Sequence, residues 1–262
     1  MQVITSKDND IIKNIKKLKE TKFRKSEMKY IVEGIKMVKE AVLEKEIIEQ
    51  IVICEDCIKN GDLDSKLLYE IAKYNCIYVT EKIYGMITET VNPQGILAVV
   101  KRDIENTKIN YNEDLIVVLD GIQDPGNLGT ILRTVDSVGL TQIIVSKNTV
   151  DAFSPKVVRS TMGAIFRVNV IETDDLVSTL KEIKKNKFKV MVTALDAEKN
   201  LYEAEIVKNA VVIGNEANGV STEVKDLADN KIIIPMLGKT ESLNAAVATS
   251  IVLYEYVRRK IK

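Results

Sequence analysis

The sequence predicts an α/β protein with a mostly parallel sheet, preceded by a smaller α/β domain. Two observations predict this class. Short apolar runs alternate with amphipathic helical stretches along nearly all of the 262 residues, and this alternation is typical of a parallel sheet whose two faces are covered by helices. A polar, charged stretch interrupts the pattern before residue 115. At roughly 150 residues per domain, the length suits two modest domains or one large one.

The composition is that of an ordinary globular protein. Apolar residues make up 45% of the chain and charged residues 29%, which argues against a disordered or disulfide-dominated protein. No apolar run reaches the roughly 18 residues of a membrane span, and the first residues lack the apolar core of a secretory signal. We therefore expect a cytoplasmic protein. Basic and acidic residues both total 38, so the net charge does not predict a polyanionic partner.

The chain contains no histidine. This excludes Ser-His-Asp and Cys-His nucleophile arrangements and the histidine-based zinc sites. Cys54 and Cys57 form a CxxC pair, but Cys76 alone cannot complete the four ligands of a structural zinc site. We therefore expect ordinary thiols and no metal.

The predicted N-terminal domain spans residues 1–103 and starts with a basic helical segment. Between Lys7 and Lys29 the basic residues outnumber the acidic ones, and isoleucine and leucine recur at helical spacing, so we expect one amphipathic helix with a basic face. This face is either an ordinary solvated surface or one that contacts phosphate groups. Further strands are predicted at 30–32, 50–53, 76–79 and 96–100, with helices near 35–43, 63–71 and 83–87.

A linker at 104–114 leads into the second predicted domain, residues 115–262. The linker is polar and poor in apolar residues, which is typical of a connecting segment. Ser154 followed by Pro155 indicates the capped start of a helix. Strands are predicted at 115–119, 142–145, 166–171, 189–193, 210–213 and 231–234, with helices at 128–138, 155–161, 174–186, 222–228 and 243–259.

Polar loops follow three of the predicted strands. Ligands bind beyond the carboxyl ends of the strands in parallel α/β sheets, so these loops are the candidates for chemistry. The loop after Leu119 opens a helix and carries Asn127 and Arg133, which lie under two helical turns apart. Helix N-termini of this kind suit an anion. The loop lacks a P-loop lysine and a GxGxxG motif, which argues against an ordinary nucleotide-binding enzyme.

The other two loops are rich in glycine and asparagine. The stretch GNEANGVS after Ile213 holds Glu216 on a constrained backbone. The stretch PMLGKTESLN after Ile234 leads through Ser242 to Asn244 at the start of the last predicted helix. Taken singly, each polar residue also has a structural interpretation, as a helix cap, a turn residue or a member of a surface ion pair.

Together, the three loops resemble the motifs of the SPOUT superfamily of RNA methyltransferases, in its TrmH/SpoU branch. The patterns N-x-G-x-x-x-R, G-N-E-x-x-G and I-P-M-x-G…S-L-N match residues 127–133, 214–219 and 234–244. Near the N-terminus, IVEG and PQGILA resemble the small substrate-binding domain of the family, which is similar to ribosomal protein L30e. Ala217 departs from the glycine of many members, and NAAVA at 244–248 departs from their NVSVA.

The resemblance implies S-adenosylmethionine as methyl donor, a ribose 2′-hydroxyl of RNA as acceptor, a homodimer and a C-terminal trefoil knot. The implied residues of the reacting end are Asn127, Arg133, Glu216, Ser242 and Asn244, with the arginine supplied across the dimer interface. The implied cofactor-binding residues are Thr193, Gly214, Asn215, Ile234, Met236 and Leu243. The basic N-terminal segment is then interpreted as RNA-binding, with candidate contacts Lys16, Lys17, Lys22, Arg24 and Lys25.

The family's dedicated N-terminal domain favours 23S rRNA as the substrate, with tRNA as the alternative. A non-catalytic RNA-binding protein of ribosome assembly on the same scaffold is a second alternative. A guanidinium has a pKa above about 12 and stays protonated at neutral pH. We therefore expect Arg133 to bind phosphate and stabilise a developing alkoxide rather than act as the base. The enzyme hypothesis requires Asn127, Glu216 and Asn244 to converge in the folded protein.

Overall fold

The chain divides into two compact units, and the division does not follow the order of the residues. The structure, a computed structural model, describes residues 3–58, 63–103, 108–197 and 199–261. The first unit is built from residues 1–104 together with Asp151–Phe166, and the second from residues 105–150 and 167–262. A segment of 16 residues from the second half of the sequence therefore belongs to the N-terminal unit.

Runs of isoleucine and valine form a five-stranded mixed sheet in the N-terminal unit. Its spatial order is β1-β4-β3-β5-β2, with parallel pairing among the first three and antiparallel pairing on both sides of β5. The strands are β1 (Val3–Ile4), β2 (Lys29–Glu33), β3 (Ile48–Ile53), β4 (Cys76–Val79) and β5 (Ile96–Lys101). The helices are α1 (Asp10–Lys17), α2 (Thr21–Glu27), α3 (Ile35–Leu43), α4 (Ser65–Ile71) and α5 (Glu81–Ile87).

The prediction of one basic helix between Lys7 and Lys29 was wrong, because the chain turns between α1 and α2. Leu18 ends α1 and is buried, and Glu20 has extended backbone angles before α2 begins. The Nζ atom of Lys19 donates to the backbone oxygens of Met86, at 3.2 Å, and Thr88, at 2.7 Å. Burial of Leu18 and these two hydrogen bonds hold the corner against the end of α5.

The second unit contains a seven-stranded sheet in which every pairing is parallel, in the order β10-β12-β9-β11-β6-β7-β8. The predicted mostly parallel sheet is thus confirmed. The strands are β6 (Leu115–Asp120), β7 (Gln142–Ser146), β8 (Asn169–Thr173), β9 (Lys189–Thr193), β10 (Lys199–Asn200), β11 (Asn209–Gly214) and β12 (Asn230–Ile233). The helices that follow in the chain are α6 (Pro125–Ser137), α7 (Pro155–Thr161), α8 (Leu176–Lys185), α9 (Thr222–Leu227) and α10 (Ala245–Lys260), of which α7 belongs to the N-terminal unit.

The central strands of this sheet are buried, as near-continuous apolar runs predict for a parallel sheet. Ile116, Val118, Val190 and Val212 are all inaccessible to solvent and pack with residues of α8 and α9 in one core. The strand predicted at 166–171 begins three residues later, at Asn169, because residues 164–166 form a turn of 3-10 helix. Pro155 is the first residue of α7, as predicted.

Within the described ranges, no helix has the length and apolar character required to span a membrane. The Sγ atoms of Cys54 and Cys57 lie 2.8 Å apart, and both cysteines are free. A search of the same described residues finds no cluster of three or more Cys, Asp or Glu side chains suited to a metal ion.

Candidate active site

The polar loops after β6 and β11 are neighbours because the two strands pair directly. Leu119 is in register with Ile213, and Asp120 with Gly214. The side chain of Asn215 donates to the backbone oxygen of Gly121 at 2.8 Å, and its own oxygen accepts from two backbone N–H groups of the same loop. Asn215 therefore fixes one loop against the other.

Three side chains from three distant loops form one hydrogen-bonded chain. The amide nitrogen of Asn127 donates to Oε1 of Glu216 at 2.8 Å. The amide nitrogen of Asn244 donates to Oδ1 of Asn127 at 2.9 Å. The required convergence of Asn127, Glu216 and Asn244 is therefore present.

Each member of this chain is also fixed by the backbone around it. Asp124 caps α6 by accepting from the backbone N–H of Asn127 at 2.8 Å. Asn244 caps α10 by accepting from the N–H groups of Ala246 at 2.9 Å and Val247 at 3.2 Å. The capping interpretation of Asn127 and Ser242 was wrong, because Asp124 and Asn244 are the residues that cap α6 and α10. The amide nitrogen of Asn244 still reaches Asn127, so its capping does not exclude a role in catalysis.

Glu216 is held as an anion. Burial by itself would raise the pKa of its carboxyl, but hydrogen bonds from the Asn127 amide and from the backbone N–H groups of Gln123 and Asp124 outweigh burial and lower the pKa. A carboxylate with a lowered pKa is a weak proton acceptor at neutral pH. Its geometry suits an orienting group for Asn127 rather than a general base.

The loop after β11 folds back on itself so closely that Gly214 has no space for a side chain. A Cβ atom there would lie 2.1 Å from the carbonyl carbon of Gly219 and from the nitrogen of Val220. Asn215 and Gly219 exchange two backbone hydrogen bonds across the turn, at 2.9 and 3.0 Å. The glycine of the predicted motif is therefore required by a close approach of two backbone segments.

A cavity of about 360 Å³ opens between the loops that follow β9, β11 and β12. This volume lies in the range of about 300–1,000 Å³ that is usual for small-molecule sites. All six predicted cofactor residues line it, together with Glu216 and Ser242. Its wall also contains Leu195, Asp196 and Lys225, which the sequence analysis missed. Leu195 and Asp196 follow β9, one of the strand ends where a parallel sheet is expected to bind ligands, whereas Lys225 lies on α9 and has no local sequence signal.

Arg133 lies apart from this group. It is exposed on α6, it does not line the cavity, and within the described part of the chain it is not hydrogen-bonded to Asn127, Glu216 or Asn244. On the same helix, the Thr134 hydroxyl lies 3.1 Å from that of Ser250 on α10. Of the five predicted residues of the reacting end, the structure joins Asn127, Glu216 and Asn244 in one network and places Ser242 on the cavity wall. The fifth, Arg133, lies at the surface beside α10.

The predicted RNA contacts are exposed, with one exception. Lys16, Lys17, Lys22 and Lys25 lie at the surface of the first two helices. Arg24 is only 2% exposed, and its guanidinium is bound to protein oxygens. The prediction that Arg24 contacts phosphate was wrong, because its side chain points inward and forms an ion pair with the buried carboxylate of Asp151.

Comparison with known proteins places this geometry in a family. The model of the SpoU rRNA methylase family matches residues 114–254, more than half of the chain. The chain belongs to the SpoU rRNA methylase family. The MRM3-like substrate-binding domain model matches residues 9–98 of this SpoU-family protein. The predicted family is thereby confirmed, and the two matched models fit a two-domain arrangement.

Similar proteins cover nearly the whole chain. A Bacillus subtilis relative, 23S rRNA (guanosine(2553)-2′-O)-methyltransferase RlmP, is 32% identical over 97% of this chain and 98% of its own. An AdoMet-bound rRNA methyltransferase from Sinorhizobium meliloti superposes with a TM-score of 0.85 at 28% identity, covering 98% of both chains. AviRb from Streptomyces viridochromogenes, crystallised with AdoMet, has a TM-score of 0.85, covers 97% and 99%, and at 23% identity supports the fold alone.

Proposed function

We propose that this SpoU-family protein transfers a methyl group from S-adenosylmethionine to a ribose 2′-hydroxyl of 23S rRNA. The observation that carries the proposal is the hydrogen-bonded chain Asn244–Asn127–Glu216, which joins the cavity wall at Glu216. The rRNA assignment is supported by the full-length similarity to RlmP and by the match to a substrate-binding domain. We place the reaction in the cytoplasm.

The cavity fits the proposed methyl donor in chemistry as well as in size. Ile234, Met236 and Leu243 supply apolar surface for a purine ring, and the backbone of the three loops supplies polar edges. The carboxylate of Glu216, which is ionised, faces the same cavity and favours a cationic sulfonium nearby. When bound, S-adenosylmethionine would supply an electrophilic methyl group: its sulfur–methyl bond would break as the bond from methyl to the 2′-oxygen forms, the sulfonium would become a neutral thioether, and the hydroxyl proton would be released to water.

The residues of the chain would act by holding the ribose oxygen. An amide nitrogen has two N–H groups, and in Asn127 and Asn244 one of the two is used within the network. The second N–H of each can donate to the 2′-oxygen as it becomes negative, and donors fixed in advance stabilise such charge. Ser242, which lines the cavity, is proposed as a further contact at the reacting end. Alignment of donor and acceptor lowers the barrier further.

The remaining polar group is proposed to come from a second copy of the chain. Beside Arg133, the facing surfaces of α6 and α10 carry a shallow apolar site lined by Thr130, Val247 and Tyr254 among others, and the side chains of Val247 and Tyr254 are 48% and 55% exposed. Burying this face in a twofold dimer would move Arg133 of each copy towards its partner. The trefoil-knotted chain path expected from the resemblance is part of the same proposal.

The deciding experiment is methyl transfer to ribosomal RNA. Purified protein, tritiated S-adenosylmethionine and 23S rRNA from cells that lack the gene should give incorporation at one nucleotide, mapped as a 2′-O-methyl site. Incorporation into tRNA but not rRNA would move the substrate to tRNA. Binding of RNA without binding of S-adenosylmethionine in calorimetry would favour a non-catalytic assembly protein and overturn the proposal.

The role of Arg133 has its own test. If the guanidinium only binds phosphate and stabilises charge, Arg133→Lys should keep part of the activity with an unchanged pH profile. Full activity of Arg133→Lys with a lower apparent pKa would instead identify this position as the base. Sedimentation of the same samples would report whether the active protein is a dimer.

A further inference from the structure

The lysine surface of the N-terminal unit continues onto a helix from the catalytic half of the sequence. α7 belongs to the N-terminal unit and carries Lys156 and Arg159, which share one helix face because they are three residues apart. Both side chains are exposed. No carboxylate within the described ranges forms an ion pair with either of them, and the hydrogen bond of Arg159 goes to a threonine.

A short stretch of chain connects α7 to the corner between α1 and α2. Nη1 of Arg159 donates to the hydroxyl of Thr90 at 3.1 Å. Lys19 donates to the backbone oxygen of Thr88 at 2.7 Å. Because Thr88 and Thr90 are two residues apart, at most about 7 Å of extended chain separates the two attachment points. Lys19 and Arg159, one cation from each group, therefore lie close together on the segment 88–90.

The position of α7 is set by the core of the N-terminal unit. Asp151, four residues before the helix, forms a buried ion pair with Arg24, with 2.7 Å between Nη2 and Oδ2. The ring of Phe153 lies 5.0 Å from that of Tyr30 and 3.9 Å from the guanidinium carbon of Arg102. These contacts hold the residues that precede α7 in place, and they therefore also fix the direction in which its exposed face points.

Cations outnumber the free acids on this surface. We call it the shared cationic surface, and its members are Lys16, Lys17, Lys19, Lys22, Lys156 and Arg159. The exposed acids on these elements or beside them are Asp10, Glu20, Glu27 and Glu89. The nearby carboxylate of Glu33 accepts from the Thr88 hydroxyl and from the backbone N–H of Glu89. Arg159 uses one of its five N–H groups on Thr90, so its planar fork can still bind a phosphate.

We infer that α7 is part of the RNA-binding surface, and that Lys156 and Arg159 contact the phosphates of the same RNA that the lysines of α1 and α2 contact. The inference rests on the proposed function, since it names further contacts for the same substrate. It also assigns a substrate-binding role to α7, which the sequence analysis had placed in the catalytic domain.

The test is the salt dependence of RNA binding by the full-length protein. Each phosphate contact releases counterions, so losing one contact should lower the slope of log K against log salt by about 0.7–0.9. A labelled RNA hairpin is the probe, because phosphate contacts do not depend on sequence. Arg159→Gln and Lys156→Gln should each bind several-fold more weakly at low salt with a reduced slope.

Controls separate contact from folding and from the proposed function. Arg159→Lys should keep most of the slope, and Lys185→Gln, an exposed cation on α8, should leave affinity and slope unchanged. Urea midpoints of all variants should match that of the wild type. If both glutamine variants keep the wild-type slope while the wild type methylates rRNA, the inference is overturned and the proposed function stands. If the slopes fall but no RNA is methylated, the surface stands and the proposed function fails.

Discussion

Two polar networks in this protein join residues that are far apart in the sequence, and they differ in how many of their donors are used. In the N-terminal unit, each of the three guanidinium nitrogens of Arg24 is bound to protein oxygen: four hydrogen bonds go to Asp151, two backbone oxygens and Thr21, and Nη2 also forms an ion pair with Asp151. At the reacting end of the second unit, the amides of Asn127 and Asn244 use one N–H each within the network. A fully satisfied buried network holds structure, whereas fixed donors with capacity left over are available to a substrate.

The largest expected effect is on the satisfied network. Arg24→Met should lower the free energy of unfolding by about 3–5 kcal/mol, because it leaves the buried carboxylate of Asp151 without its partner. Urea unfolding measures the loss. The exposed neighbour Lys22→Met should stay within about 0.5 kcal/mol. A double variant with Asp151→Asn should lose less than the sum of the two single changes, and simple additivity would show that the pair is not coupled.

The network at the reacting end should respond in rate rather than in stability. Asn127→Ala should lower kcat by about 10²–10³, the effect of removing one fixed donor to a developing anion. Affinity for S-adenosylmethionine should change little, since Asn127 does not line the cavity. Asn127→Asp should be at least as inactive, because a second carboxylate would face Glu216 at hydrogen-bond distance. A full-rate Asn127→Ala enzyme would exclude the proposed role.

The close approach at Gly214 gives an effect of intermediate size. Gly214→Ala should cost about 1–3 kcal/mol of stability, as for an overpacked core position, and should abolish tight binding of S-adenosylmethionine because the cavity wall must shift. Calorimetry measures both. Gly85→Ala is the matched control: nothing lies within 4 Å of the added Cβ in α5, so stability should rise by about 0.5–1 kcal/mol.

The smallest expected effect is on the pH dependence of stability, and it follows from the opposite pKa shifts of two carboxyl groups, Glu216 and Glu46. Hydrogen bonds lower the pKa of Glu216, whereas burial, with the nearby Glu44 and Asp103, raises the pKa of Glu46 to about 7. A raised carboxyl pKa means that stability is lost as the pH rises from the ordinary value towards 7, because the unfolded chain ionises first. Glu46→Gln should therefore stabilise the protein by on the order of 1 kcal/mol at pH 8 and by almost nothing at pH 4. Equal effects at both pH values would contradict this assignment.

The sequence indicated the candidate site in two ways: by the rule that ligands bind beyond the carboxyl ends of parallel strands, and by the motifs at residues 127–133, 214–219 and 234–244. Polar loops at the ends of parallel strands identified Asn127, Glu216 and Asn244 before any contact was known. It could not show which donors pair with which acceptors, because Asn127 and Asn244 are 117 positions apart in the sequence and only the folded chain brings them into contact. The role of Arg133 stays a prediction for the same reason: its proposed partner groups belong to a second chain.

Local patterns by themselves determined the alternation of strands and helices, the parallel sheet and the polar loops, because periodicity and turn residues act over a few positions. The tertiary structure alone decided that Arg24 points inward, that the basic segment turns at Lys19, and that residues 151–166 join the N-terminal unit. Each of these outcomes depends on a partner remote in sequence, Asp151 for Arg24 and Thr88 for Lys19. Hydrogen bonds and buried contacts between residues so far apart in the sequence produce no periodic pattern that the sequence could reveal.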